Sequence, residues 1–438
     1  MTACPHPSEP GSPLPSPMAR TSARDAADSC AAMARSHCAR FATLAFIVAL
    51  LASCASAPPP PRPPERPIAP VLPPTLNEAI DFASDDLFVQ MLRLPAMTAP
   101  AMGGASPAAV VVVDALIDGV TGQQTKAAEY VQQRLVDRIR GRFVQVVVRP
   151  ASSATVDGAQ YLLVGTISRA PEGANLEHFK LNLSLTDIRS GFVIAQAASR
   201  VRDPGVDTTP TAFYRDVPTN TKDRIVDGYI KTAETPAGGA ADAVYLQGVP
   251  TASVLNDAIG AYNAGRYDDA YNHYKVAASR PDGQQLRVLN GLYLASEKLG
   301  RRSEAETAFG RIVALGLATN NLGMMILFRP GSTEFATDAG FSEQYPMWLR
   351  QIAVEAVKAG GCLQVIGHTS KTGAEAYNDR LSLQRALTIK RRLEIESREL
   401  VNKVQASGVG WRETLVGIGT DDARDAPDRR VEFKRRPC

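Results

Sequence analysis

Histidine is scarce in this chain and cysteine is scattered. Among 438 residues there are five histidines and six cysteines (Cys4, Cys30, Cys38, Cys54, Cys362 and Cys438), none arranged as CxxC or at zinc-ligand spacing. A structural metal site is therefore not expected. Only His178, His273 and His368 lie beyond the first 53 residues, far apart in the chain, which leaves metal-assisted chemistry little to work with. Excess charge is lacking too. The formal net charge is +3, and the first 53 residues hold four Arg against three acids, so the remainder carries +2. That is no basic footprint for nucleic acid. A Ser/His/Asp set, a nucleotide loop and an acid pair in a plausible cleft are missing as well, so neither an enzyme nor a cofactor is expected. What is present is ordinary: 45% apolar and 21% charged residues suit a globular protein, and the length allows about three domains.

The only apolar run near the N-terminus, FATLAFIVALLA from Phe41 to Ala52, follows Arg35 and Arg40. As a helix it would span roughly 18 Å, too short for a ~30 Å bilayer core. A basic flank, a short apolar stretch and small residues are the parts of a secretory signal, assigned here to residues 1–53. A start at Met18 or Met33 would give a more ordinary leader. Leu51-Ala52-Ser53-Cys54 resembles the lipobox of bacterial lipoproteins. The resemblance implies that Cys54 is acylated and becomes the mature N-terminus; the alternative is an incidental cysteine beside an ordinary peptidase site. Ala55 follows rather than Asp, which by resemblance to sorted lipoproteins implies the outer membrane, lipid-anchored and facing the periplasm. Residues 54–74 continue as a Pro-rich spacer, Pro58 to Pro74, which in polyproline II form reaches about 50 Å.

The expected fold class is multidomain α/β. A mixed α/β sheet domain spans residues 75–201, a short α-helical repeat segment 252–318, and a C-terminal βαβαββ domain 320–438. In the first, Leu76, Ile80, Ala83, Leu87 and Leu92 fall at helical spacing, AVVVVDALID (Ala109 to Asp118) reads as a strand, and Thr125 to Arg140 as a second helix. Strands follow at Val144 to Val148, Gln160 to Ser168, Phe179 to Asp187 and Val193 to Ser199. In FKLNLSLTD the apolar residues alternate, as on a half-buried antiparallel strand. Tyr161, Gly165 and Ile167, with Leu185, Thr186, Asp187 and Gly191, resemble the strand and turn motifs shared by curli-secretion lipoproteins and lipoprotein activators of penicillin-binding proteins. That likeness implies a fold and a periplasmic setting.

Residues 202–251, rich in Pro, Gly, Thr and Asp, read mostly as a loop-rich linker. Within 252–318, AGRYDDAYNHY and LGRRSEAETAF align at an offset of 35, pairing Gly265 with Gly300, Ala270 with Ala305 and Tyr274 with Phe309. This resembles tetratricopeptide repeats. Two copies are expected to pack against a neighbouring domain, as a structural spacer in preference to a peptide-binding groove.

The C-terminal domain carries the chemistry. Strand MMILF, helix Asp338 to Ala359, strand LQVIGHT, helix Ala374 to Glu396, strand ETLVGIG and strand RRVEFKR are expected in that order. GHTSKTGAEAYNDRLSLQRA with the closing DRRVEF resembles the OmpA-like peptidoglycan-binding domain. Asn378, Ser382 and Arg385 share one helical face, while Leu383, Ala386, Leu387 and Leu393 are expected to form a separate packing stripe. The GHTSKTG loop enters this helix, whose free N–H groups attract carboxylates. Arg385 could clamp a carboxylate in bidentate fashion, or pair with Glu375 or Asp379. The resemblance implies that the ligand is the wall's stem peptide, whose diamino acid carries a carboxylate and an ammonium group. Its expected contacts are Thr369, Ser370, Asn378, Ser382, Arg385 and Arg429, with Arg430 structural. Ser370 stands where the family usually has Asp, which lowers that contact from about 1.5–3 to about 0.5–1.5 kcal/mol. Weaker binding, a different stem peptide or none would follow. Arg329 replaces an acid the family often places after the Phe, and Asp428 replaces Asn before the paired arginines. Cys362 and Cys438 flank two strands of this domain and could form a disulfide in an oxidising periplasm; a buried thiol and a free tail are the alternative.

The function expected is that of an outer-membrane lipoprotein holding peptidoglycan non-covalently and so tethering the envelope. The alternative is a periplasmic adaptor whose first domain and repeats recruit a protein partner, a cell-wall synthase or secretion component.

Overall fold

The computed structural model describes residues 65–68, 72–98, 109–170, 178–202, 204–337 and 342–438. The expected leader, Cys54 and most of the Pro-rich spacer lie outside these. Thr75 opens helix α1 (Leu76–Leu92) as a capping box: its backbone N–H donates to Glu78 at 2.9 Å and its hydroxyl accepts from the Glu78 N–H. Thr125 caps α2 (Lys126–Arg142) with its side chain alone, accepting from the Ala128 N–H at 3.2 Å. Asp81 and Asp85, one turn apart on α1, receive Arg134 and Arg138, one turn apart on α2, at 2.9 and 2.7 Å. Just ahead of α1, Arg66 makes a two-point pair with Asp86 at 2.6 and 2.7 Å.

The strands are β1 (Ala109–Val113), β2 (Val146–Pro150), β3 (Tyr161–Arg169), β4 (His178–Asp187) and β5 (Val193–Arg202), ordered β2-β1-β3-β4-β5; a one-turn helix at Pro95–Thr98 is left unnumbered. β1 runs parallel to both neighbours, β4 antiparallel to both of its own. A central parallel strand is covered on both faces, which explains the unbroken AVVVV. It stops at Val113, five residues before the expected end, because Asp114 turns away: its carboxylate accepts from the Tyr245 hydroxyl at 2.6 Å and the Asn256 amide at 2.7 Å. Helices α1 and α2 cover one face, with Ile80, Leu87, Val131 and Leu135 against Val111, Leu163 and Leu183.

The other face corrects two expectations. Residues 202–251 are not mostly loop. They hold α3 (Ala212–Asp216), α4 (Arg224–Glu234) and the start of α5 (Ala243–Asn263). The aspartates that suggested a loop are helix caps: Asp223 accepts from the Ile225 and Val226 N–H groups, Asp242 from those of Val244 and Tyr245. Val226, Tyr229 and Ala233 of α4 then pack on Leu162 and Val164. β4 is consequently buried on both faces, not one. Its polar residues Asn182, Ser184 and Thr186 lie beneath α4, and the Ser184 hydroxyl donates to the Thr232 carbonyl at 2.8 Å.

Two helical hairpins follow, α5 with α6 (Tyr267–Ala278) and α7 (Leu286–Lys298) with α8 (Arg302–Ala318). The offset of 35 recurs in their turns. Arg266 N–H bonds to Ala261 O and Arg301 N–H to Ser296 O, both at 2.9 Å. Ala270, Tyr274, Ala305 and Phe309 are all fully buried.

The last layer is β6 (Leu322–Met324), α9 (Tyr345–Ala359), β7 (Cys362–Gly367), α10 (Glu375–Glu396), β8 (Val404–Gly408) and β9 (Val431–Arg436), with sheet order β6-β9-β7-β8. This is the expected βαβαββ order, with two strands displaced. β6 ends at Met324 because the chain turns out of the sheet, the Met325 N–H donating to Pro218 O. ETLVGIG is not a strand; VQASG is. Gly417 and Gly419 take φ of +70° and +65°, outside the strand region. The N–H groups of Leu415, Val416 and Gly417 are instead gathered by the Asp428 carboxylate at 2.6–2.8 Å. Helix α9 begins at Tyr345 rather than Asp338; residues 338–341 are outside the described set. A disulfide joins Cys362 at the start of β7 to Cys438, with Cα atoms 4.9 Å apart.

The hairpins and the last layer share one hydrophobic core. Trp348 of α9 stacks on Phe309 of α8 (5.5 Å, 7°) and donates its indole N–H to the Tyr293 hydroxyl at 2.9 Å.

Candidate functional site

Helix α10 presents one buried stripe, not two. Asn378, Leu381, Ser382, Arg385, Ala386, Ile389 and Leu393 all lie on it, while Leu383 and Leu387 are exposed. The spacing of three and four that groups the polar residues also puts them on the packing face, so the separate stripe expected through Leu383 and Leu387 is not formed. The face is pressed close. A Cβ on Gly367 of β7 would lie 2.1 Å from the Ser382 carbonyl oxygen, so only glycine fits.

Ser382 is fully buried, and its hydroxyl donates to Asp379 O at 2.9 Å and accepts the Gly410 N–H at 3.0 Å. It locks the helix to the loop after β8 and has no outward face for a ligand. Asn378 is 4% exposed, its amide donating to Thr372 O and Ala374 O at 2.7 and 3.1 Å. It pins the GHTSKTG loop. Thr369 is also buried, its N–H on Gly410 O. Its hydroxyl has no partner among the described residues.

Arg385 is 9% exposed. Its Nε donates to Ser332 O at 3.1 Å and its Nη2 to Arg329 O at 3.3 Å, both in the FRPGSTEF segment. The guanidinium carbon lies 5.0 Å from the centre of the Phe328 ring. Among the described residues no carboxylate pairs with it and Nη1 has no partner. The two acids that could have paired with it, Glu375 and Asp379, are taken by Arg412 at 3.2 and 2.6 Å. Burial, with Arg429 adding to it, lowers the Arg385 pKa to about 10, so the group stays charged at neutral pH.

The neighbourhood includes a carboxylate that sequence spacing does not reveal. The Ser370 hydroxyl donates to Asp421, and Asp421 is 51% exposed. Asp421 has φ +53° and is held there by Asp425, a fully buried acid whose carboxylate accepts the N–H groups of Thr420 and Asp421 at 2.8 and 2.9 Å. Arg429 pairs with Asp425 at 2.6 Å and lies 3.5 Å from Asp421. Arg430 turns the other way, buried against Glu432 at 2.6 Å. His368 is buried 3.5 Å from Glu432, and burial together with Arg430 lowers its pKa to about 3. Of the six expected contacts, Arg429 is partly exposed, Ser370 is buried but reaches the half-exposed Asp421, and Arg385, Thr369, Asn378 and Ser382 are buried. Asn378 and Ser382 hold the frame. A cavity of about 880 Å³ elsewhere, beside Lys222, Asp282 and Lys434, includes none of the six.

A family model described as the OmpA family matches residues 327–427, and this C-terminal segment is an OmpA domain. Outer membrane protein A of Shimwellia blattae is 34% identical over 82 residues, which are 17% of this chain; the chain spans about a third (34%) of that relative's length. Among solved structures, the peptidoglycan-associated lipoprotein from Burkholderia pseudomallei is similar at 24% identity and TM-score 0.21, covering 25% of this chain and 86% of that one. The cell wall anchor of the T6SS from Pseudomonas aeruginosa is similar at 24% identity and TM-score 0.22, covering 26% and 77%.

Proposed function

We propose that the chain is an envelope lipoprotein that holds peptidoglycan non-covalently through its OmpA domain. The observation that carries this reading is the state of Arg385, a buried guanidinium offered two carbonyl oxygens and the Phe328 ring but no counter-ion among the described residues. A charge taken out of water without a partner is costly, and a ligand carboxylate on Nη1 would complete it. Asp421, half exposed and bonded to Ser370, suits the ammonium of the same ligand. Together they match a diamino acid bearing both groups at one end. Thr369 and Arg429 frame the site; the lipobox at Cys54 would supply the outer-membrane anchor and set the domain in the periplasm, so that the protein tethers membrane to wall.

The test is co-sedimentation of the mature chain with isolated sacculi. The parent protein should pellet and Arg385→Ala should stay in the supernatant; equal pelleting of both would refute the site. The whole chain is used because the OmpA domain shares the core around Trp348 with the hairpins.

A further inference from the structure

The site does not end at the OmpA domain. A cavity of about 580 Å³ is lined by Asp421 and Arg429 together with Tyr293, Glu297 and Lys298 of α7. Its size is that of an ordinary ligand site. Gln344, at the entry to α9, forms part of the wall. Its Nε2 donates to Glu297 at 3.3 Å while its Oε1 has no partner among the described residues. Lys298 is 40% exposed and only loosely paired, 3.4 Å from Asp216.

We infer that this cavity receives the rest of the stem peptide, so that the hairpins are part of the recognition surface and not a spacer. The inference rests on the wall-binding reading of Arg385. Asp421, which accepts from Ser370, and Arg429, which lies 3.5 Å from Asp421, both line this cavity, so a ligand held at Asp421 has the cavity beside it. The stem peptide carries a further carboxylate, which Lys298 would meet. It also carries backbone N–H groups, which suit Glu297 and the open acceptor of Gln344. Charge and hydrogen-bonding capacity are thus supplied to one cavity by both the OmpA domain and α7.

The experiment titrates the mature chain with two probes, free meso-diaminopimelate and the tripeptide L-Ala-γ-D-Glu-meso-diaminopimelate. In the parent the tripeptide should bind more tightly. In the double variant Glu297→Gln, Lys298→Gln the tripeptide's advantage over the free amino acid should fall about tenfold, a loss of ~1.4 kcal/mol. Arg385→Ala should lose both probes. An unchanged advantage in the double variant, with Arg385→Ala losing both, overturns the role of α7 alone. Retention of both probes by Arg385→Ala, or binding of neither by the parent, overturns the wall-binding reading and this inference with it.

Discussion

The Ser370 hydroxyl donates a hydrogen bond to the Asp421 carboxylate across 51 residues of sequence. Where an acid would be expected the chain has a serine, and the serine reaches an acid. If Asp421 meets the ligand's ammonium, Asp421→Ala should weaken sacculus binding about tenfold, the difference between a charge-assisted and a neutral hydrogen bond. Adding Ser370→Asp to that variant should restore binding. Ser370→Asp alone should not improve on the parent, because two adjacent carboxylates cannot both stay ionised cheaply. Pelleting measured over a range of protein concentrations distinguishes these outcomes.

Arg385→Lys retains the charge but loses the planar fork. A single ammonium cannot reach Ser332 O, Arg329 O and a ligand carboxylate together, so binding should fall at least tenfold. The urea midpoint should fall too, since the two lost hydrogen bonds are worth about 1 kcal/mol each, so binding is compared without urea, after circular dichroism has shown both proteins folded.

Trp348→Ala should cost about 3–5 kcal/mol, since it removes the largest fully buried side chain of the core that joins hairpins to OmpA domain. Tyr293→Phe removes only the acceptor of the indole N–H and should cost about 1 kcal/mol. Urea denaturation followed by far-UV circular dichroism measures both.

His368 makes stability depend on pH. Burial and Arg430 lower its pKa in the folded protein from 6.5 to about 3, so between those values the unfolded chain binds the proton and the folded chain does not. Stability is therefore complete above pH 6.5 and declines as pH falls towards 3, by roughly 1.4 kcal/mol per unit at most. His368→Gln should flatten that slope in denaturation curves taken from pH 7 to pH 4.

Opening the loop of 76 residues closed by Cys362 and Cys438 should cost about 2–4 kcal/mol, chiefly by freeing the unfolded chain. Cys438→Ser, or the parent under reductant, should show the same drop in thermal midpoint.

The sequence was most readable where its signal is local. The order of the last six elements followed from apolar periodicity and the GHT motif, and the offset of 35 reappears bond for bond in the turns before Arg266 and Arg301. Legibility failed where one residue type serves two purposes. Asp223 and Asp242 suggest loop by composition but cap helices. LVGIG has the apolar content of a strand, yet Asp428 takes its N–H groups. At the site, Arg385 is legible through the resemblance of its motif to the OmpA-like domain, while spacing shows only the face it shares on α10. Asp421 is not legible, because its place depends on Asp425 folding a distant loop over Ser370. Ser382 and Asn378 were found by the same spacing as Arg385, which records a shared face but not whether that face meets solvent or protein.

One consequence follows from the way the layers are joined. Asp114, at the end of β1, is held by Tyr245 and Asn256 of the first hairpin, and the last hairpin is held to α9 through Phe309 and Trp348. Among the described residues, the OmpA domain, the hairpins and the first sheet are thus joined through buried side chains at each boundary. Layers coupled in this fashion should unfold together, where separately folded beads on a string would unfold one by one.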